Sequence, residues 1–382
     1  MKVLILTFGF PSKKNPQIGC FMLDQAKALK KNGYEIAMLA IRAFPTLKGK
    51  KHFGLNFQQI ENIPCYEYVG VPTRALRFIL GNKISNSIDK ILVPKIFNKL
   101  KDGFNKPDLI HAHFLPNIYL ATLIKSKYKI PIIGTEHWSE VTFLPVKKFV
   151  KDLCKNTYPK VDALISVSKN LQEKIYEYSG VKSQIIHNLF ELENLRPALK
   201  ETNNNHFTII AVGSLIKRKG FDLLLNAIAK SNLKDKNIIV KIFGKGKEYK
   251  NLSEQIKCLG LSNKVSLMGQ KDKKFLYEEL HKADLFVLPS RLENFSVALI
   301  EATANGVPAI ATLCGGVEEY PIPFVTKIPV EDIMALKEAL ENNYMNKTKV
   351  DRLSIQGATL DNFSPEIIVD KIEKIYQRIL NK

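Results

Sequence analysis

Long apolar runs are missing from this chain. No stretch approaches the ~20 residues that a membrane-spanning helix needs. The apolar opening MKVLILTFGF is followed by no small-residue cleavage site, so it reads as a first strand and not as a leader. Cysteine is scarce. The five, at positions 20, 65, 154, 258 and 314, make an odd, scattered set with no C-x-x-C pair. That argues against a disulfide framework or a thiolate zinc site and suits a reducing cytoplasm. No Asp-x-Asp pair offers a metal motif. Neither candidate phosphate loop carries G-x-G-x-x-G, which disfavours an NAD-dependent oxidoreductase. Tryptophan occurs once, as Trp138.

Acidic residues are also in short supply, and the net charge is +20. No recognition helix, zinc finger or RNA-binding motif accompanies it, so nucleic acid is not the expected partner. An anionic membrane surface, a phosphorylated substrate and a lysine- and asparagine-rich proteome remain as readings.

What is present is enough chain for two cores. The 382 residues, 45% hydrophobic and 25% charged, fit two domains of about 190 residues each. The most informative stretch is Asp284–Glu319. Leu285–Leu288, ended by Pro289, reads as a buried parallel strand, and Ser290–Asn294 as a loop. Phe295–Asn305 has a helical apolar stripe closed by Gly306, Val307–Thr312 is the next strand, and Cys314-Gly315-Gly316 follows. A helix N-terminus leaving the carboxyl edge of a sheet favours an anion such as phosphate. Glu293 just before that helix and Glu301 inside it are acceptor-only groups suited to sugar hydroxyls. A lone E-x7-E is a weak signal, but embedded in PSRLENFSVALIEATANGVPAIAT and a Gly-Gly loop it is strong.

At these residues the sequence resembles the retaining glycosyltransferases of family 4. The resemblance spans nearly the whole chain and is densest over 207–319. It implies the α/β GT-B architecture, two Rossmann-like doubly wound parallel-sheet domains facing across a cleft. The corresponding divisions are 1–190, a linker 191–206, 207–362, and a terminal helix 363–382 returning to the first domain. By matching positions, Glu301 would bind the ribose of a nucleotide-sugar donor. Glu293, with the backbone at Asn294 and Phe295 and with Ser296, would hold the donor sugar. Lys219 in IKRKG, with Arg218, would neutralise the diphosphate. Ser214 stands where the family commonly has arginine, so one phosphate cation is missing there, with Arg218 or Arg291 the candidates to replace it. Gly244 of G-K-G is placed near the donor, and Gln270 beside the base. No cofactor is implied, since the nucleotide sugar is a substrate, and no metal.

The first half opens as strand Lys2–Thr7, loop Gly9–Gly19, helix Cys20–Asn32 and strand Tyr34–Ile41. Gly19 would let the backbone approach the donor phosphate or the acceptor; Lys13 and Lys14 are weaker candidates. Residues 74–106 carry eight Lys/Arg against Asp89 and Asp102, with apolar residues at helical spacing. This reads equally as a helix on an anionic membrane surface and as packed helices with a solvated basic face, broken at Pro94. DLIHAH delivers His113 at a strand end, and Ile130–Thr135 delivers Glu136, His137, Trp138 and Ser139. Matching the family patterns, His137 would contact the donor sugar or its phosphate, with His113 on the acceptor side; Trp138, also placed there, would stack against a sugar or simply pack. Asn188 matches an asparagine that precedes the hinge, and Phe190–His206 reads as polar linker.

The resulting expectation is a metal-independent hexosyltransferase acting on a glycan or lipid-linked acceptor. Cell-surface polysaccharide or lipopolysaccharide synthesis is the expected setting, in the cytoplasm or peripherally on the inner face of the cytoplasmic membrane. A sugar-nucleotide epimerase, a sugar phosphorylase on the same fold, and a noncatalytic basic binding protein are the alternatives. Loops Phe44–Phe57 and Pro145–Lys155 would carry specificity.

Overall fold

The computed structural model of the chain describes residues 1–12, 18–42, 54–70, 87–143, 145–190, 192–198 and 206–381. The expectations for Lys13, Lys14, 74–86, 44–53, 191 and 199–205 lie outside the described residues. The chain divides into two compact units, Met1–Leu189 with Ile368–Lys382, and Phe190–Ile367.

The strands of the first unit are β1 (Lys2–Thr7), β2 (Glu35–Arg42), β3 (Gly54–Ile60), β4 (Ile63–Val69), β5 (Leu109–His113), β6 (Ile132–Glu136), β7 (Ala163–Ser166) and β8 (Gln184–Ile185). Over the described residues they form one sheet in the order β3-β4-β2-β1-β5-β6-β7-β8. Only the β3–β4 pair is antiparallel. This hairpin has no Asn-Gly flag in the sequence. Its two turn residues, Glu61 and Asn62, both take positive φ, 52° and 59°, the twist that two-residue hairpin turns require. Apart from the edge strand β8, the remaining strands are largely buried, as parallel strands covered on both faces must be.

Helices α1 (Cys20–Lys31), α2 (87–97), α3 (Leu115–Tyr128), α4 (Lys148–Thr157) and α5 (Lys169–Ser179) accompany that sheet. The break expected at Pro94 does not occur. The helix runs through it, and the Pro94 carbonyl accepts from Asn98 N–H at 3.1 Å and from the Tyr128 hydroxyl at 3.1 Å. Burial of Val93, Ile96 and Phe97 outweighs the one backbone bond that proline removes. With Lys90 and Lys95 exposed, 87–97 is a packed helix with an exposed basic face.

The second unit is a six-stranded, all-parallel sheet of β9 (Phe207–Val212), β10 (Ile238–Phe243), β11 (Val265–Gly269), β12 (Leu285–Leu288), β13 (Ala309–Thr312) and β14 (Val325–Ile328). Its order, β11-β10-β9-β12-β13-β14, is that of a doubly wound sheet reversing direction between β9 and β12. The first sheet reverses in the same way between β1 and β5. Helices α6 (Phe221–Lys230), α7 (Tyr249–Cys258), α8 (Lys273–Lys282), α9 (Val297–Ala304), α10 (Ile333–Met345) and α11 (Arg352–Phe363) belong to this unit. The segment read as linker is fixed over 192–198. Ala198 N–H donates to the Gln356 amide oxygen at 3.1 Å, and Gln356 Nε2 donates to the Arg196 carbonyl at 2.8 Å.

Helix α12 (Pro365–Leu380) starts two residues after the end of α11, with only Ser364 between them. Proline at the first helical position costs no bond, since its N–H would be unpaired there anyway. From Ile368 the helix belongs to the first unit. Ile368, Val369, Ile372, Ile375 and Tyr376, on one helical face, are buried in a core with Val3, Ile5, Met22 and Met38.

Candidate functional site

Both reversal points are lined by loops that leave the carboxyl ends of strands, where ligands of such sheets bind. In the second unit the chain after β12 turns through Pro289–Ser296 before α9. Ser290 and Glu293 are buried, and the Ser290 hydroxyl donates to Glu293 Oε1 at 2.7 Å. The same oxygen is ion-paired to Lys219 Nζ, delivered by the loop after β9, with side chains 16% and 6% exposed. The aliphatic stem of Lys219 crosses Gly213, where a Cβ would come within 3.3 Å of it. Gly315 backs the cluster from the loop after β13. It holds φ 61°, and a Cβ there would run into the Glu293 carbonyl oxygen. Only glycine meets both demands.

Ser296 caps α9, accepting from Leu299 N–H at 3.4 Å. Its own N–H donates to the Tyr320 hydroxyl at 3.1 Å. Phe295 is packed into an aromatic group with Tyr320 and Phe363, at centroid distances of 5.4 and 5.9 Å. Its ring is therefore core. Glu301 is buried in the second turn of α9, and Asn294 is buried beside Glu293. Gly244 follows β10 and donates to the Gly269 carbonyl at 2.9 Å, while Gln270, half-buried, follows β11.

Arg291, one of the two candidates to stand in for an arginine at Ser214, is engaged within the protein. Its guanidinium grips Asp222 through two bonds of 2.8 Å, reaches Glu331 at 2.7 Å and donates to the Lys217 carbonyl at 2.6 Å. Burial alone would raise the Asp222 carboxyl, but the hydrogen bonds and charge of Arg291 hold it below its ordinary value. Ser214 itself is exposed. Arg218 is half-buried, and its side chain has no partner among the described residues.

In the first unit Gly19 starts α1 at φ 74°, where a Cβ would meet the Gly9 carbonyl. Three histidine rings stack near β5 and β6. His111 and His113 lie 4.6 Å apart at 16°, and His113 and His137 lie 5.2 Å apart at 19°. His113 Nδ1 and His137 Nε2 share a 2.9 Å hydrogen bond, and His137 also meets Asn188. His113 Nε2 is buried without a hydrogen-bond partner among the described residues. His111 is bonded to Thr135 Oγ1 at 2.6 Å and to the Tyr376 hydroxyl of α12 at 2.7 Å. Desolvation pushes His111 and His137 down to about 3 and His113 well below its ordinary value, so all three are neutral at physiological pH. Trp138 is half-buried beside them.

Glu136, which the sequence placed at the strand end without a role, is fully buried at the end of β6. Its Oε1 accepts from the N–H groups of His137 and Trp138 at 2.9 and 2.7 Å, and its Oε2 accepts from the Tyr158 hydroxyl at 2.6 Å. Only its place inside T-x-H, at the end of a strand, hinted at it.

Two family models match the chain. The one described as Glycosyltransferase Family 4 covers residues 19–194, and the one described as Glycosyl transferases group 1 covers 195–360. A putative teichuronic acid biosynthesis glycosyltransferase, TuaC of Bacillus subtilis, is 29% identical over 339 residues, 83% of this chain and 82% of that protein. Among solved structures, Anabaena HepE in complex with UDP superimposes with a TM-score of 0.72 at 19% identity, covering 99% of this chain and 100% of that one. The lipopolysaccharide outer core galactosyltransferase WaaB gives 0.73 at 15%, covering 98% and 99%.

Proposed function

Since the chain belongs to glycosyltransferase family 4, with the GT-B fold, we propose that it transfers a hexose from a nucleoside diphosphate sugar to a glycan or lipid-linked acceptor, with retention at the anomeric carbon. The observation that carries this reading is the joined Lys219–Glu293–Ser290 cluster beside the capped N-terminus of α9, with Glu301 buried behind it. Lys219 and the half-buried Arg218 supply positive charge for a departing diphosphate, the charge that grows in the transition state. Glu293 and Glu301 supply acceptors for sugar and ribose hydroxyls. In this reading His137 contacts the donor sugar as a neutral hydrogen-bonding group, and no metal ion takes part.

The kinship with TuaC and the fold shared with WaaB support a role in cell-surface polysaccharide or lipopolysaccharide synthesis. HepE, bound to UDP, makes UDP-sugars the first donors to try. No helix among the described residues is long and apolar enough to cross a membrane; in this reading a lipid-linked acceptor is met at a membrane surface, with the exposed Lys90 and Lys95 of α2 as candidate contacts.

The test is donor binding and slow donor hydrolysis across UDP-, GDP- and ADP-sugars, with and without EDTA, for the wild type and Glu301→Ala. Binding of one donor that survives EDTA and is lost in the variant is the expected result. No binding of any donor by the folded protein would move the reading to a noncatalytic binding protein.

A further inference from the structure

The chain leaves the sheet at the end of β6, and the backbone N–H groups of His137 and Trp138 lose their ladder partners there. Buried donors must find another acceptor. Glu136 is that acceptor: one carboxylate oxygen takes both, at 2.9 and 2.7 Å. The other oxygen is fixed by the Tyr158 hydroxyl at 2.6 Å. A backbone bond from Leu115, at the start of α3, completes the set. The side chain is 0% exposed.

A carboxylate is an unfavourable group to bury. Desolvation raises Glu136 to about 7, against the lowering effect of its four hydrogen bonds. An apolar side chain of similar size would be less costly to bury than an ionised one. What a carboxylate offers instead is direction, because two lone pairs on one oxygen hold successive N–H groups of a tight turn in a single arrangement. The turn held this way carries His137, whose ring is then aligned by His113, Asn188, Phe21 and Phe114.

We propose that Glu136, braced by Tyr158, is the positioning residue for His137 and Trp138. Its buried carboxylate fixes the backbone of both residues and thereby the direction in which the His137 ring meets the donor. The titratable neighbours of the carboxyl are Tyr158 on the turn after α4, Cys154 on α4, and His137 on the loop itself, with Ser166 paired across β7. The last link, from His137 to the donor, rests on the function proposed above; the first does not.

The experiment compares Glu136→Ala, which removes the acceptor, with Glu136→Gln, which keeps one acceptor oxygen of the same reach. Two readouts need no substrate: amide hydrogen exchange at His137 and Trp138, and the emission of Trp138, the chain's one tryptophan. In Glu136→Ala, exchange at both amides speeds up about tenfold or more and the emission shifts to the red. In Glu136→Gln both stay near the wild type. With a donor in hand, kcat falls about tenfold or more in Glu136→Ala and is largely recovered in Glu136→Gln. A folded Glu136→Ala with wild-type exchange and emission overturns the proposal, and so does a Glu136→Gln as disturbed as the alanine variant. Should Glu136→Ala not fold, Tyr158→Phe decides: a smaller change in the same direction supports the proposal, and none overturns it. If the wild type turns over no donor, the transferase reading fails while exchange and emission still judge Glu136.

Discussion

Lys219 and Glu293 stand 74 positions apart in the chain and meet as an ion pair at the carboxyl edge of the second sheet. The lysine comes from the loop after β9 and the glutamate from the loop after β12, the two strands between which the sheet reverses direction. In the function proposed above both residues serve the donor, and their pairing would tie the position of the sugar-holding carboxylate to that of the diphosphate cation.

Removing one partner leaves the other charge largely buried. Lys219→Met is expected to destabilise the second unit by about 3 kcal/mol. Glu293→Gln added to it should recover part of that loss. Denaturant unfolding of the two single variants and the double variant gives the coupling directly, and additivity would show that the pair contributes nothing.

In the proposed function Arg291, bonded to Asp222, Glu331 and the Lys217 carbonyl, supports the loop and leaves the donor to Lys219 and Arg218. Arg291→Lys loses the two-pronged grip on Asp222, and should lower stability by about 1–3 kcal/mol. The donor KM should change less than about threefold, whereas Arg218→Ala should raise it about tenfold. A reversed pattern would return Arg291 to the phosphate site.

The pH dependence of the first unit has two opposed parts. Glu136 has a folded value of about 7, above its ordinary 4.5. The stability it contributes is therefore fully present below 4.5 and lost as pH rises through 7, on the order of 3 kcal/mol in all. His111, His113 and His137 are depressed, so their contribution is present above 6.5 and lost as pH falls towards 3. Unfolding of Glu136→Gln measured from pH 4.5 to 7.5 should show a gain over wild type that grows with pH. A wild-type-like slope would mean that this carboxyl does not titrate in that window.

Gly315→Ala places a Cβ on a residue at φ 61° and against the Glu293 carbonyl. The Glu293 loop must shift to accept it. Donor hydrolysis should fall by about 100-fold, since a displacement of about 1 Å suffices for that, with a stability loss of about 1–3 kcal/mol. Equal activity in a folded Gly315→Ala would remove Glu293 from the donor site.

Much of the architecture is legible along the chain because its signals are local. Leu285–Leu288 is both the expected and the observed strand, and the alternation of short apolar runs with helical stripes spells out the parallel sheets. The motif around Glu293 and Glu301 carried the family. Local patterns gave less at the β3–β4 hairpin, whose turn has no glycine, and at Pro94, where packing overrides a helix breaker. They gave nothing for the contacts that build the sites. His111 meets Tyr376 across 265 positions, Arg291 meets Asp222 across 69, and Tyr158 meets Glu136 across 22. Periodicity records which face of an element is apolar; it does not record which distant polar group will lie opposite a buried one. By itself the sequence determined the two-domain run of short parallel strands and helices, and the family. Only the tertiary structure decided that Lys219 joins Glu293, that Arg291 is engaged elsewhere, and that Glu136 holds the turn beneath His137. Those outcomes depend on folding, which brings together groups far apart in the chain and leaves each buried charge or donor needing a partner.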